Sequence, residues 1–382
     1  YAMQWSLVGS EMCISHRSYG DRPGTRSALG AAARVVTLDV HNHRIAHNAM
    51  EPRGALGWYD PGGDLYRLEL SSQNVHVIRD HIAASLGTTP ERVRVTAPDV
   101  GGGFGVRNFV YGDYVLVLWA ARECGRTVRW VHARSDGFVS DHQARAFDAR
   151  GELAIDADGR FTGLAVTCRF DLGAYLIGAG GGVPTGQFCT CPSTVYDIPA
   201  IHLDIKAVLT NTVPIGVTRG PGFAEIVDLM ERLIDKAALE VGIDRIELRR
   251  MNLIGSDRMP WTNAVGVTVD SGDFEGCMEQ ALEEADFPGF PARRADRLER
   301  GRWRGIGVAN HIKATGGLDE ENVELRFEDD RVCLITGTQA IGQGHETSFR
   351  QIVGSLLGLS PHEIHYVAGD SHAIRMGGGH GS

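Results

Sequence analysis

Lysine is almost missing from this chain of 382 residues: only Lys206, Lys236 and Lys313 occur, and none follows a glycine. A nucleoside-triphosphate P-loop places a lysine directly after its glycine turn to reach the phosphates, so that chemistry is excluded. Net positive charge is missing too, the formal balance being −10. Phosphate-backbone binding requires a clustered basic surface, so a nucleic-acid partner is not expected. No stretch approaches the roughly 18 apolar residues of a membrane span, and residues 1–25 lack the basic, apolar and small-residue order of a signal peptide. The expected location is the cytoplasm. The seven cysteines (Cys13, Cys124, Cys168, Cys189, Cys191, Cys277 and Cys333) are scattered and odd in number, which speaks against a disulfide framework and for a reducing compartment. Cys189-Thr-Cys191, the only close pair, has no second pair or well-spaced histidine beside it and reads as buried or pocket-lining thiols.

What the chain has in quantity is glycine, 49 residues, within a composition 43% hydrophobic and 23% charged that is ample for two or three domains. The glycines concentrate in turns between a strand-like and a helix-like run: Pro98-Asp-Val-Gly-Gly-Gly-Phe-Gly105, Thr218-Arg-Gly-Pro-Gly222 and Gly342-Gln-Gly-His-Glu-Thr347. Without a Cβ, successive N–H groups can converge on anionic or carbonyl oxygens at a helix start, so these turns predict a large polar ligand held by backbone.

Residues 1–33 carry little periodicity and read as a linker or the remnant of an upstream domain. Strands are expected over 35–40, 65–70 and 93–95, with a helix from Val75 to Leu86 closed by Gly87. A helix from Asp113 to Cys124, apolar nearly all round, is expected to be buried. Residues 126–210 read as strands and turns, and the strongest helix runs from Ala224 to Val241, closed by Gly242. A boundary near 255–275 precedes a helix over 274–285, an Arg/Glu-rich connection over 293–304, strands over 322–327 and 332–336, a helix over 346–357 and a strand over 363–367. This order predicts an α+β fold with a first domain over 34–265 and a second over 266–382, two α/β domains facing a shared crevice. Tyr1 at the start and Met376-Gly-Gly-Gly-His-Gly-Ser382 at the end suggest a fragment of a longer polypeptide.

The commoner motifs do not account for the turns. Gly101-Gly-Gly103-Phe-Gly-Val106 and Gly342-Gln-Gly344-His-Glu-Thr347 both lack the third glycine of a dinucleotide fingerprint. Neither G-x-S-x-G nor H-E-x-x-H occurs. His41, His43 and His47 read as a solvated strand end, and His362 with His365 as a half-exposed edge, rather than as metal ligands.

Taken in order, Asn48-Ala-Met-Glu-Pro-Arg53, Ser71-Ser-Gln-Asn74, Pro98–Gly105, Val217-Thr-Arg-Gly-Pro-Gly222 and Gly342–Thr347 resemble the molybdopterin-binding large subunit of the xanthine dehydrogenase, aldehyde oxidase and carbon monoxide dehydrogenase family. The likeness runs from about residue 34 to the end and is greatest to carbon monoxide dehydrogenase large chains. It also preserves the family's interval of 31 residues from Gln73 to Phe104.

The resemblance implies cofactor contacts by Gln73, Gly102, Gly103, Phe104, Gly105, Arg219, Gly220, Gln343, Gly344, His345 and Ser382. Molybdenum would lie near Gln73, Phe104, Arg219 and Gln343 without direct side-chain ligation. It implies a molybdopterin in its cytosine dinucleotide form, an iron–sulfur small subunit, an FAD-binding medium subunit and a dimer of heterotrimers. The implied reaction is oxidative hydroxylation, with electrons leaving through iron–sulfur clusters to flavin. The family's general base, a glutamate, is expected beyond Ser382.

Asn108 stands where purine-oxidising members carry glutamate, and Gly220 where copper-containing carbon monoxide oxidisers carry cysteine. An aldehyde or an N-heterocycle is therefore the expected substrate, with Gln187 and Phe188 as further candidates for its channel. Three alternatives stay open: a catalytically silent pterin-binding or assembly remnant, a carbon monoxide dehydrogenase-type oxidoreductase lacking the copper-binding cysteine, and a flavin or nicotinamide dehydrogenase.

Overall fold

The computed structural model describes residues 13–178, 180–313, 321–328 and 331–377. Its elements are β1 (Cys13–Gly20), α1 (Arg22–Ala31), β2 (Arg34–Ile45), β3 (Gly54–Asp60), β4 (Leu65–Leu70), α2 (Val75–Leu86), β5 (Val93–Thr96), α3 (Gly112–Cys124), β6 (Val128–Val131), α4 (Arg134–Ser140), β7 (Ala144–Ile155) and β8 (Phe161–Asp171). There follow α5 (Gly182–Thr190), β9 (Ile201–Val208), α6 (Phe223–Val241), α7 (Arg245–Asn252), β10 (Trp261–Thr262), β11 (Thr268–Val269), α8 (Phe274–Glu284), α9 (Phe290–Glu299), β12 (Val323–Glu328), β13 (Arg331–Thr336), α10 (His345–Leu357) and β14 (Ile364–Val367).

The described residues fall into two units that interleave along the chain. One takes those within 1–44, 145–215 and 220–314, the other those within 45–144, 216–219 and 315–382. The chain enters each unit more than once, because sheet partners are supplied by distant stretches.

The first unit is built on a five-stranded mixed sheet ordered β1-β9-β8-β7-β2. Helix α6 lays its apolar stripe, Ile226, Leu229, Leu233 and Ala237, into a core shared with Phe147, Phe170 and Phe188. Gly151 of β7 makes that approach close: a Cβ there would stand 3.0 Å from Leu233. Arg249, wholly buried, bonds Glu231 at 3.0 Å and Asp235 at 2.7 Å, while Tyr196 donates to Glu231 at 2.8 Å. Residues 13–31, expected as linker, are β1 and α1. Strand β1 is half-exposed along its length, so its sequence carries no apolar alternation, and its identity comes from antiparallel pairing with β9. Helix α1 is announced locally by Asp21, whose side chain accepts from Gly24 N–H, with Pro23 in its first turn. The connection expected over 293–304 is likewise partly helical, as α9.

The second unit contains a four-stranded sheet ordered β5-β4-β3-β6 and a three-stranded sheet ordered β12-β13-β14. Each of these sheets holds one parallel pair. Strand β4 runs through α2 to its parallel neighbour β5, and β13 runs through α10 to its parallel neighbour β14. Each crossover puts a turn at the carboxyl end of a strand and the start of a helix, where ligands gather in α/β sheets. Helix α2 spans the expected residues, with Asn74 as N-cap and Gly87 in left-handed conformation at its end. Helix α3 buries Tyr114, Val117, Leu118 and Ala121, yet Leu116 is 62% and Trp119 55% exposed. Its all-round apolarity therefore did not signify burial on every side.

Candidate functional site

The second unit brings together four of the segments singled out by sequence. Strand β4 ends by delivering Ser71–Asn74, and Gln73 there is 1% exposed. Its Oε1 accepts from Gly105 N–H at 2.8 Å and from Arg107 N–H at 3.2 Å, and its own backbone N–H donates to Arg107 O at 3.1 Å. The side chain is thus a peg inside the first glycine turn. Gly103 makes room for it, since a Cβ there would stand 2.5 Å from the Gln73 carboxamide.

The turn needs its other glycines for conformation. Gly102 and Gly105 hold φ of +97° and +108°, and a Cβ on Gly105 would overlap the Val217 carbonyl. Phe104 also takes a left-handed φ of +55° and is 43% exposed, an uncommon state for an aromatic residue. Its carbonyl accepts from Arg219 N–H at 3.0 Å, which joins the third motif to the first turn. Asn108, itself half-buried, ends the 3₁₀ turn that follows.

The fourth segment is tied in by a residue sequence reasoning missed. Gln339, in the loop after β13, is 2% exposed and donates from Nε2 to Ser72 O at 2.6 Å. It leads directly into Gly342-Gln-Gly344, and its only signal was a polar side chain just ahead of a glycine turn. Gln343 is exposed, its Oε1 accepting from Ile341 N–H at 2.6 Å. Gly344 (φ +78°) opens α10 without a side-chain cap, so the first N–H groups of this 13-residue helix face outward with the positive end of its dipole. His345 stacks on Phe349 at 4.9 Å.

A polar cluster supports the turn. Buried Arg53 donates to Asp141 at 2.7 Å and lies 3.6 Å above the Tyr111 ring. Tyr111 contacts His142 Nδ1 at 2.5 Å and stacks on its ring. Burial, then the neighbouring His47 and Arg53 charges, hold His142 well below the usual histidine range, so it is neutral at pH 7. His47 in turn bonds Val217 O at 2.8 Å and Thr218. Arg107 is 2% exposed and its basicity is lowered chiefly by burial.

Other candidates lie elsewhere. Gly220 belongs to the first unit; its φ is +70° and no described residue lies within 4 Å of where its Cβ would stand, so backbone conformation rather than crowding among the described residues selects glycine. Gln187 is half-buried on α5 of the first unit. Phe188 is a correction: it packs into that unit's core against Phe147 and Phe170, not along a channel. Ser382 lies outside the described residues. His41 and His43 touch edge to face on exposed β2 positions, while His47 belongs to the other unit. Cys189 and Cys191 are buried thiols, and burial pushes Cys189 up to about 12.

The geometry fits a bulky polar cofactor with anionic groups. Gln339 Oε1 and His345 Nδ1 are buried polar atoms without a partner among the described residues. Among the described residues, nothing lies within 4 Å of where a Cβ of Gly342 or Gly344 would stand. Uncapped N–H donors, amides and open glycine backbone suit a ring with hydrogen-bonding edges and a phosphate tail.

Two segments match one family description, "Molybdopterin cofactor-binding domain", over residues 9–253 and 280–382. The carbon monoxide dehydrogenase large chain of Hydrogenophaga pseudoflava is 32% identical over 377 residues, covering 94% of this chain and 47% of that protein. The nicotine 6-hydroxylase large subunit of Paenarthrobacter nicotinovorans is 29% identical, covering 95% and 46%. The crystal structure of quinoline 2-oxidoreductase from Pseudomonas putida 86 superposes with a TM-score of 0.85 at 28% identity, covering 96% of this chain and 48% of that one. The chain spans about half the length of the curated relatives it matches.

Proposed function

We propose, from the premise that this chain belongs to the molybdopterin-binding large subunits of the xanthine dehydrogenase, aldehyde oxidase and carbon monoxide dehydrogenase family, that its enzyme hydroxylates an electrophilic carbon of an N-heteroaromatic or aldehyde substrate. One observation carries the reading. Gln73, the first glycine turn, Arg219 and the approach to Gly342–Gly344 are joined by direct hydrogen bonds within one unit.

When bound, the molybdenum cofactor supplies the redox chemistry, accepting the electrons that leave the substrate carbon. The chain's own residues hold and orient it. Gln73 fixes the turn that presents the Phe104 backbone. Arg219 offers a guanidinium for an anionic group, and the open end of α10 offers N–H donors for a phosphate of the dinucleotide tail, taken here as the cytosine form. No residue of this chain is assigned as the general base.

The substrate class follows from two positions. Asn108 replaces the glutamate of purine oxidisers, and Gly220 offers no thiolate for the copper of carbon monoxide oxidisers. Two relatives are named for N-heteroaromatic substrates, nicotine and quinoline, which supports the same side of the choice. Electrons would pass to an iron–sulfur small subunit and an FAD-binding medium subunit, in a cytoplasmic dimer of heterotrimers.

The test is metal analysis of the full-length protein purified with its partners, followed by dye reduction with quinoline, nicotinate, benzaldehyde, xanthine and carbon monoxide. Molybdenum and turnover of a heteroarene or the aldehyde are expected. Absence of molybdenum, or turnover of carbon monoxide or xanthine alone, would overturn the reading.

A further inference from the structure

The first glycine turn is anchored at both ends. Gln73 fixes its far end at Gly105 and Arg107. The near end rests on Glu51, from the Asn48–Arg53 segment. Glu51 Oε2 accepts from Gly101 N–H at 2.7 Å and from Ser71 Oγ at 2.6 Å, and lies 3.3 Å from Arg107 Nη1. The backbones engage as well: Glu51 N–H donates to Gly101 O at 3.3 Å, and Arg107 Nη2 donates to Glu51 O.

We infer that Glu51 is a positioning residue for the cofactor, fixing the near end of the turn so that Gly102, Gly103 and Phe104 are held from both sides. A single carboxylate oxygen serves three segments, the one before Gln73, the turn itself and the arginine after it. The contacts from Gly101 and Ser71 are hydrogen bonds to a charged acceptor, the stronger kind, and Arg107 Nη1 stands in ionic contact with the same oxygen. Arg107 makes the charge necessary, because its side chain is 1% exposed and Glu51 is the carboxylate its guanidinium reaches. Gly101 makes the fit specific: its backbone is not left-handed, yet a Cβ there would overlap the Glu51 Cβ. Glycine at 101 is therefore explained by Glu51 rather than by conformation.

This inference rests on the reading of the site as a molybdopterin cradle. The test compares wild type, Glu51→Ala, Glu51→Gln and Gly101→Ala as full-length proteins, by molybdenum content per protein, the Mo(V) electron paramagnetic resonance spectrum and the melting temperature of the cofactor-free form. Glu51→Ala and Gly101→Ala are expected to lower molybdenum occupancy at limiting cofactor by about 10-fold and to shift the Mo(V) signal, as loss of outer supports does at other metal sites. Glu51→Gln keeps an oxygen acceptor for Gly101 and Ser71 but removes the charge that faces Arg107, and is expected to recover only part of the occupancy. Should Glu51→Ala fail to fold because Arg107 is stranded, Gly101→Ala keeps both charges and still displaces the carboxylate. Folded Glu51→Ala or Gly101→Ala protein with wild-type occupancy and an unshifted signal would overturn the inference alone. Wild type without molybdenum would overturn the reading beneath it.

Discussion

Replacing Gln73 by leucine separates the peg's hydrogen bonds from its volume. Leucine fills nearly the same space, so the cavity contribution is small, but Gly105 N–H and Arg107 N–H lose the oxygen they share at 2.8 and 3.2 Å. Both lie where the side chain is 1% exposed, so water does not readily replace it. Each stranded donor costs about 1–3 kcal/mol, which gives a loss of about 2–6 kcal/mol. Against a total stability of about 5–15 kcal/mol, that is a large fraction. The assay is urea unfolding of the cofactor-free protein followed by tryptophan fluorescence, with Trp58 and Trp130 reporting on the second unit. Gln343→Leu is the control: Gln343 is exposed with one local bond, so it should cost under about 1 kcal/mol. Equal losses for the two variants, or a Gln73→Leu loss under about 1 kcal/mol at unchanged slope, would refute the peg.

Gly105→Ala meets both a left-handed φ and the Val217 carbonyl, whereas Gly220→Ala meets the φ alone; melting should drop severely for the first and by only about 1–2 kcal/mol for the second. Arg249→Met leaves the buried Glu231 with the Tyr196 hydroxyl but without its cation, so chemical denaturation should show about 3–5 kcal/mol lost, and a loss under about 1 kcal/mol would contradict the pairing. His142 is depressed in the folded state chiefly by burial, so its contribution is complete above the unfolded value near 6.5 and declines as pH falls from there toward the folded one. Stability should therefore fall on acidification by up to about 1.4 kcal/mol per pH unit from this group, and His142→Phe should flatten that slope in melts across pH 5–7; an unchanged slope would count against the assignment.

Much of the local structure was legible because its determinants are local. Asn74 and Gly87 bracket α2, and the 3.6-residue spacing of Ile226, Leu229, Leu233 and Ala237 declares α6. Strand β1 and helix α9 were not legible, since β1 is defined by its partner and α9 has no buried residue to set a stripe. At the site, Gln73, the glycines, Phe104 and Arg219 were singled out as resembling a family pattern, and the structure supplies what holds them together. Gln339 and Glu51 escaped any role, because a lone buried amide and a carboxylate that grips another segment leave no periodic trace. Phe188 shows the reverse error: adjacent to a polar neighbour in sequence, it belongs to a core that only folding assembles.

By itself, the sequence predicted the kind of ligand. Glycine turns opening onto helices, few lysines and no dinucleotide fingerprint point to backbone N–H groups as donors, and that expectation is written residue by residue in φ and in the missing Cβ. Tertiary structure alone decided which turns work together. Gln73 reaches Gly105 across 32 positions, Gln339 reaches Ser72 across 267, and Glu51 reaches Gly101 across 50. Contacts of that separation arise only when distant strands share a sheet or a unit, so no local pattern could have encoded them.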